Sequence, residues 1–197
     1  MDFERAVDRN IIRLRSSLKE EMKDLVAVEA PVTIFLNGSE LVTLLCTPEK
    51  IDRLALGFLH SEGLLNSLDD LSMIRTRESE GLVEIELKEA SPALDKLYGK
   101  RTITSGCGKG TIFFNVLDSL RSKPLDGKLV ITTEEIHKLM DDLQGRAELF
   151  KATGGVHSAA LADRKEILFF SEDIGRHNAI DKIVGECLLE GVSPEDK

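Results

Sequence analysis

The sequence predicts an α/β fold of the α+β kind, a mixed sheet with flanking helices, preceded by a smaller N-terminal part rich in β-hairpins. Three observations predict it. Two β-rich runs, 32–36 and 41–46, flank Asn37-Gly38, a strong hairpin signal. In 82–87, Val83, Ile85 and Leu87 alternate with Glu84 and Glu86, the pattern of a strand wet on one face. Around these runs lie segments with apolar residues at helical spacing behind polar starts. The 197 residues fit one domain, 1–197, that buries about 70% of its surface. Within it we expect a part over 1–100 made of an N-terminal helix, hairpins and a helix. A core over 101–190 is organised by a cysteine loop, and a short polar tail, 191–197, frays.

In chain order, residues 3 to about 24 are charged, with Ile11, Ile12, Leu14, Leu18, Met22 and Leu25 interspersed. They read as a surface helix, or a helix covering a partner, that Ala30-Pro31 breaks. The first hairpin follows, and Cys46 falls at the end of its second strand as a structural residue. Thr47-Pro48-Glu49 reads as a helix start, with a cap, a proline in the first turn and an acid at the positive end. Ile51, Leu54, Ala55, Phe58 and Leu59 form the buried stripe of that helix, His60 sits in its last turn, and Gly63 stops it. Residues 73–77 and 82–87 read as two strands joined across Ser79-Glu80-Gly81. Ser91-Pro92 opens a loop or short helix reaching Tyr98. Lys123-Pro124 ends the helix after the cysteine loop, and 128–132 reads as a strand. Thr132 and Glu135 have capping-box spacing, and Ile136, Leu139, Met140 and Leu143 make the inward face of the next helix, leaving His137 outside.

The cysteine loop is Arg101-Thr-Ile-Thr-Ser-Gly-Cys-Gly-Lys-Gly110. A short β-rich run enters it, and an amphipathic stretch with Ile112, Phe113, Val116, Leu117 and Leu120 leaves it. Cys107 therefore falls on a strand-to-helix turn. A helix N-terminus and Lys109 both favour a thiolate there. Gly106, Gly108 and Gly110 would let a bulky ligand or partner reach the sulfur. A plain glycine-rich turn with a half-buried thiol suits the same residues, and local sequence leaves both readings open.

The last third carries a second constellation. Thr153-Gly154-Gly155 precedes a small-residue strand over 156–162, Asp163-Arg164-Lys165 is a turn, and 166–170 is an apolar strand. Tight pairing brings His157 opposite Ser171, within a residue or two, so the open end gathers His157, Glu172 and Asp173. Asp173 is a plausible cap for a helix that has Gly175, Arg176 and His177 in its first turn and buries Ile180, Ile183, Val184, Cys187 and Leu188. A helix N-terminus with basic side chains suits an anion. A capped helix with a surface Asp173–Arg176 salt bridge is the plainer reading of the same residues.

Composition excludes several classes. A net charge of −9 speaks against nucleic acid or an anionic membrane as partner. No apolar run approaches membrane-spanning length. Met1-Asp-Phe-Glu-Arg5 lacks the basic-then-apolar order of a signal peptide. Three widely spaced cysteines do not read as a disulfide framework, and a reducing cytoplasm is the expected compartment. Residues 106–111 lack P-loop spacing. His157-Ser158-Ala159 lacks the glutamate of a zinc deaminase, and no C-x-x-C pair exists. No tightly bound metal is expected. A cysteine–histidine hydrolase pairing Cys107 with His157 or His177 stays open.

Four stretches together carry a family resemblance: 54–63 (LALGFLHSEG), 104–108 (TSGCG), 153–160 (TGGVHSAA) and 172–185 (EDIGRHNAIDKIVG). In order and spacing they resemble the formate dehydrogenase accessory sulfurtransferase family (FdhD/NarQ), over most of the chain. The resemblance implies a cytoplasmic homodimer with a cytidine-deaminase-like core and no deaminase chemistry. It implies a sulfurtransferase that takes sulfane sulfur from a cysteine desulfurase. The sulfur then passes to the molybdenum (or tungsten) bis-guanine-dinucleotide cofactor, a bound substrate, to mature formate dehydrogenase. Cys107 would carry the persulfide, flanked by Gly106, Gly108 and Lys109. Gly154, Gly155, His157, Arg176 and His177 would suit a phosphate or pterin portion of the cofactor. A non-catalytic cofactor-binding chaperone is the alternative. Two departures stand out: many relatives carry C-x-x-C where this chain has Cys107-Gly-Lys-Gly110, and relatives usually continue past the last helix.

Overall fold

The computed structural model describes residues 5–16, 18–89, 102–103, 129–195 and 197. The cysteine loop with Gly106, Cys107, Gly108 and Lys109, the loop or helix reaching Tyr98 and the helix after the cysteine lie outside the described residues.

Nine strands and four α-helices make an α+β fold among the described residues. Strands β3 (Ala30–Leu36) and β4 (Ser39–Cys46) form the first hairpin. Its turn has φ of 48° at Asn37 and 77° at Gly38. Positive φ at both positions matches the turn twist to the strands, which is why Asn-Gly signals it. Strands β5 (Leu71–Arg77) and β6 (Leu82–Leu87) form a second hairpin, and β6 runs parallel to β3. With β7 (Thr102–Ile103) parallel to β4, the five-stranded order is β5-β6-β3-β4-β7. Val32, Ile34 and Leu36 of β3 and Val83 and Ile85 of β6 are shut from water on one face. Helix α1 (Ile51–Ser61) covers that face.

Helices α2 (Thr133–Arg146) and α3 (Glu148–Thr153) lead into the hairpin β8 (His157–Ala162) and β9 (Ile167–Asp173). Helix α4 (Arg176–Glu190) packs back onto α1. Thr132 caps α2 in the capping box its spacing predicts: its Oγ1 accepts from Glu135 N at 3.2 Å, and Thr132 N donates to Glu135 Oε2 at 2.7 Å. Helix α1 is buried on two sides, so Leu56 and Gly57 join the predicted stripe. The α1–α4 crossing is backbone to backbone. A Cβ on Gly57 would fall onto the carbonyl of Asp181, and one on Gly185 onto that of Arg53.

Five expectations are corrected. Residues 3–24 form no helix: strands β1 (Ala6–Arg15) and β2 (Leu18–Ala27) pair as a hairpin turning at Ser16, where φ is 53°. Arg9 faces Asp24, Arg13 faces Glu20 and Ile11 faces Met22. Cross-strand pairs of opposite charge and of apolar side chains stabilise that ribbon. Thr47 does not cap α1, which begins at Ile51 after Lys50 in left-handed conformation; Thr47 is buried against the start of α4 instead. Residues 129–132 are not a strand; Val130 is exposed, and Thr132 serves as a cap. The apolar stripe of α2 is inward only in part: Leu139 and Leu143 are half-buried, whereas Ile136 and Met140 are exposed. Charged contacts hold α2 to the β8–β9 turn, with Arg164 Nε donating to Glu135 Oε1 at 3.0 Å and Lys138 Nζ to Lys165 O at 3.4 Å. Ile180 of α4 is exposed rather than buried, whereas Ile183 and Cys187 are core.

Gly185→Ala is expected to force α4 off α1 and cost about 3 kcal/mol, as overpacking does at an unyielding contact. Thermal unfolding should show a midpoint roughly 6–12 °C lower. An unchanged midpoint would mean that the crossing tolerates a side chain.

Candidate functional site

The open end of the β8–β9 hairpin places His157 opposite Asp173, within the two residues the sequence allowed. The side chains there serve two different tasks. Asp173 does not bridge to Arg176 at the surface. It is buried and pairs with Lys182 at 2.7 Å, and both side chains are fully out of water. An isolated buried charge is costly, so its remaining bonding capacity must be met. Oδ2 accepts from Thr47 N at 3.1 Å, and Oδ1 accepts from Gly175 N at 2.8 Å and Asn178 Nδ2 at 3.0 Å. Lys182 Nζ also donates to Thr47 O at 3.0 Å and Glu172 O at 3.4 Å. Thr47 Oγ1 accepts from Ile174 N at 3.0 Å, and Asn178 Nδ2 donates to Leu45 O at 2.9 Å. This knot ties the β4–α1 junction to the β9–α4 junction.

Glu172 points the other way. Its carboxylate accepts from Leu149 N and Phe150 N, each at 2.9 Å, and from Ser158 Oγ at 3.4 Å. It thereby caps α3 from a remote strand. Gly154, left-handed with φ of 63°, stops α3, and Gly155 N donates to Thr153 Oγ1 at 3.1 Å. The glycine pair thus turns the chain from α3 into β8.

Above Glu172 lies an open cleft of about 500 Å³ lined by Leu143, Gln144, Ala147, Phe150, Lys151, Val156, His157 and Ser158. Phe150 is half exposed and His157 is exposed. An aromatic wall with a lysine, a histidine, an amide and a hydroxyl can hold a planar heterocycle that carries an anionic group. Gly154 and Gly155 are exposed beside this cleft without lining it. Half-buried Arg176 and exposed His177 begin α4 and stand outside it.

Two of the three cysteines lie among the described residues. Cys46 is fully buried, and burial, with the nearby Asp173 carboxylate, pushes its thiol up to about 12. Cys187 is buried in α4, and burial raises its thiol too. Neither presents a thiolate at neutral pH. Among the described residues no group of three or more His, Cys, Asp or Glu is placed to hold a metal. No helix there is long and apolar enough to cross a membrane.

The sequence pattern gives Thr47 the role of a cap and singles out neither Asn178 nor Lys182. A signal was present: Asn178 and Lys182 are four apart on α4, and Lys182 shares the buried stripe with Ala179 and Ile183.

With this geometry in view, the comparisons with known proteins are specific. The FdhD/NarQ family model matches residues 27–197. A "Sulfur carrier protein FdhD" from Bacillus subtilis (strain 168) is 41% identical over 189 residues, covering 96% of this chain and 72% of that protein. Its namesake from Listeria monocytogenes serotype 4b (strain F2365) is 40% identical over 191 residues, covering 96% and 73%. The crystal structure of a protein described as a formate dehydrogenase accessory protein, from Desulfotalea psychrophila, superposes with a TM-score of 0.73 at 22% identity. It covers 96% of this chain and 70% of that one, and shows the same fold.

Lys182→Ala would leave the Asp173 carboxylate buried without its counter-charge and is expected to cost about 3–5 kcal/mol, read by urea unfolding. Asp181 gives a second outcome. Burial, eased by a 2.8 Å hydrogen bond from Ser61 Oγ and reinforced by the Asp173 charge, raises its carboxyl from 3.8 to about 6. The folded state therefore holds this proton more tightly than the unfolded chain. Its stabilisation is full below pH 4 and is lost as pH rises to about 6. Asp181→Asn should flatten that slope and gain about 2–3 kcal/mol at pH 8. Equal slopes for both proteins between pH 4 and 6 would refute it.

Proposed function

From a chain that belongs to the FdhD/NarQ family, we propose a sulfur carrier that uses Cys107 to relay sulfur in the maturation of formate dehydrogenase. The observation that carries this reading is the state of the other thiols. Cys46 and Cys187 are buried with raised thiols, so a carrier role falls to Cys107, flanked by Gly106, Gly108 and Lys109. The Cys107 thiolate attacks the terminal sulfur of a persulfide on a cysteine desulfurase. The bond between that sulfur and the desulfurase cysteine breaks, the desulfurase thiolate leaves, and a persulfide forms on Cys107. Lys109 would stabilise the attacking thiolate.

The acceptor we propose is the molybdenum (or tungsten) bis-guanine-dinucleotide cofactor, bound as substrate in the cytoplasm. The cleft beside His157 supports this choice. Phe150 offers a face for a pterin or guanine ring, Gln144 and Ser158 offer hydrogen bonds, and Lys151 and His157 suit a phosphate. About 500 Å³ takes one end of such a molecule, not all of it. The remainder would reach Gly154 and Gly155 beside the cleft, and Arg176 and His177 at the start of α4, outside it. Formate dehydrogenase is the client.

A second reading, a cofactor-binding chaperone without sulfur transfer, is favoured by one feature. With Gly110 where the family resemblance implies a second cysteine, the loop holds no partner for an internal disulfide.

Incubation with a cysteine desulfurase and cysteine, followed by peptide mass spectrometry, separates the two. Sulfur-transfer chemistry predicts a gain of one sulfur atom on the peptide containing Cys107, lost in Cys107→Ser and kept in Cys187→Ser. Maturation of formate dehydrogenase by Cys107→Ser protein at the wild-type level would establish the chaperone instead.

A further inference from the structure

Helix α3 stands beside the cleft without a cap of its own. It is six residues long, and so short a helix does not hold together alone in water. Its N-cap is Ala147, which has no side-chain oxygen to bond the first amides of the helix. A serine, asparagine or aspartate there would accept from the N–H two or three residues on, here Leu149 N or Phe150 N. Those are the two amides that Glu172 holds, each at 2.9 Å, from 23 and 22 positions away.

The same carboxylate reaches a second wall of the cleft. Glu172 lies opposite Ser158 in the β8–β9 register. Its Oε1 accepts from Phe150 N and, at 3.4 Å, from Ser158 Oγ. Phe150 on α3 and Ser158 on β8 both line the cleft. One oxygen therefore bridges the helical wall and the strand wall. Glu172 itself is 5% exposed and does not line the cleft. Its backbone is also held, because its carbonyl accepts from the buried Lys182 Nζ at 3.4 Å. Leu149 is buried and Phe150 is half exposed, so the first turn of α3 has one side in the core and one in the cleft.

We propose that Glu172 is a positioning residue for the ligand of this cleft. It sets the spacing between Phe150 and Ser158, and hence the fit to a flat ring, without touching the ring. The proposal rests on the reading of the cleft as the cofactor site. Without Glu172, two amides at the start of α3 lose their acceptor, and Phe150 and Lys151 lose their fixed places. An aromatic face contributes to ring binding when it is held at stacking distance. A wall that must be ordered on binding costs affinity that a preformed wall keeps.

The test uses the full chain, with guanosine monophosphate, one end of the proposed cofactor, as the probe. Calorimetric titration reads its affinity, and amide hydrogen exchange at Leu149 and Phe150 reads the helix start without any ligand. Glu172→Gln offers one acceptor oxygen in place of two. It should speed exchange at these amides about 10–100-fold and weaken guanosine monophosphate by a similar factor. Glu172→Asp keeps the charge but shortens the reach, and it should act in the same direction should Glu172→Gln not fold. Adding Ala147→Ser to either variant gives α3 a cap of its own. Exchange should slow again and most of the affinity should return, a recovery that general destabilisation does not predict. Ala147→Ser alone should leave both readouts near wild type.

Affinity and exchange should rise and fall together across all these proteins. A variant in which they part would overturn the proposal, and so would wild-type values of both in Glu172→Gln. A wild-type chain that binds no guanosine monophosphate would overturn the cofactor reading of the cleft, and the proposal with it.

Discussion

The Lys182 ammonium and the Asp173 carboxylate meet at 2.7 Å with both side chains shut off from solvent, at the point where two distant parts of the chain join. Ion pairs placed this deep gain little over apolar packing, because desolvation offsets the attraction. What they specify is geometry. The carboxylate also needs the N–H of Thr47 and Gly175 and the amide of Asn178, and the ammonium needs the carbonyl of Thr47. Only one placement of β9 and α4 against the end of β4 satisfies all of them. Close contact at Gly57 and Gly185 then fixes how near α4 can approach α1. Lys50, bonded to Phe170 O and Glu186, adds a third tie across the same seam.

The cleft follows from this placement. Once β9 is fixed, Glu172 reaches α3 on the side opposite Asp173, and adjacent carboxylates on one strand serve two separate purposes. One closes the core; the other sets the helix that carries Phe150 and Lys151 beside His157. The site is built on secondary structure and a buried carboxylate rather than on a free loop, which favours a fixed geometry for a bound ring.

Much of the fold was legible where the signal was local. The Asn37-Gly38 turn, the alternating residues of β6, the capping box of Thr132 and Glu135 and the pairing of β8 with β9 all rest on neighbours in sequence. The N-terminal hairpin was not legible, because Ile11, Leu14, Leu18, Met22 and Leu25 fall three to four residues apart and imitate a helix. What supports the hairpin, Arg9 opposite Asp24 and Arg13 opposite Glu20, appears only after pairing. Thr47 has the chemistry of a cap, yet its hydroxyl serves Ile174 across the molecule. Lys182 is hard to read as a core residue because lysine is ordinarily at the surface. His157 and the glycine pair are legible by their place at the open end of a hairpin, His157 lining the cleft and the glycines beside it. The walls facing them, Gln144 on α2 and Phe150 and Lys151 on α3, come from two helices whose approach no local pattern reveals.

The bond between Thr47 and Asp173 spans 126 positions of the chain. During synthesis, helix α1 leaves the ribosome with Gly57 uncovered, since the helix that packs on it, α4, begins only at Arg176. At about 5–20 residues per second, that interval lasts on the order of ten seconds. For that time a half-built sheet shows an apolar helix face to the cell. The family motif at 172–185 is therefore also the segment that ends the nascent chain's exposure, and a ribosome stalled short of it would leave a product with its core open.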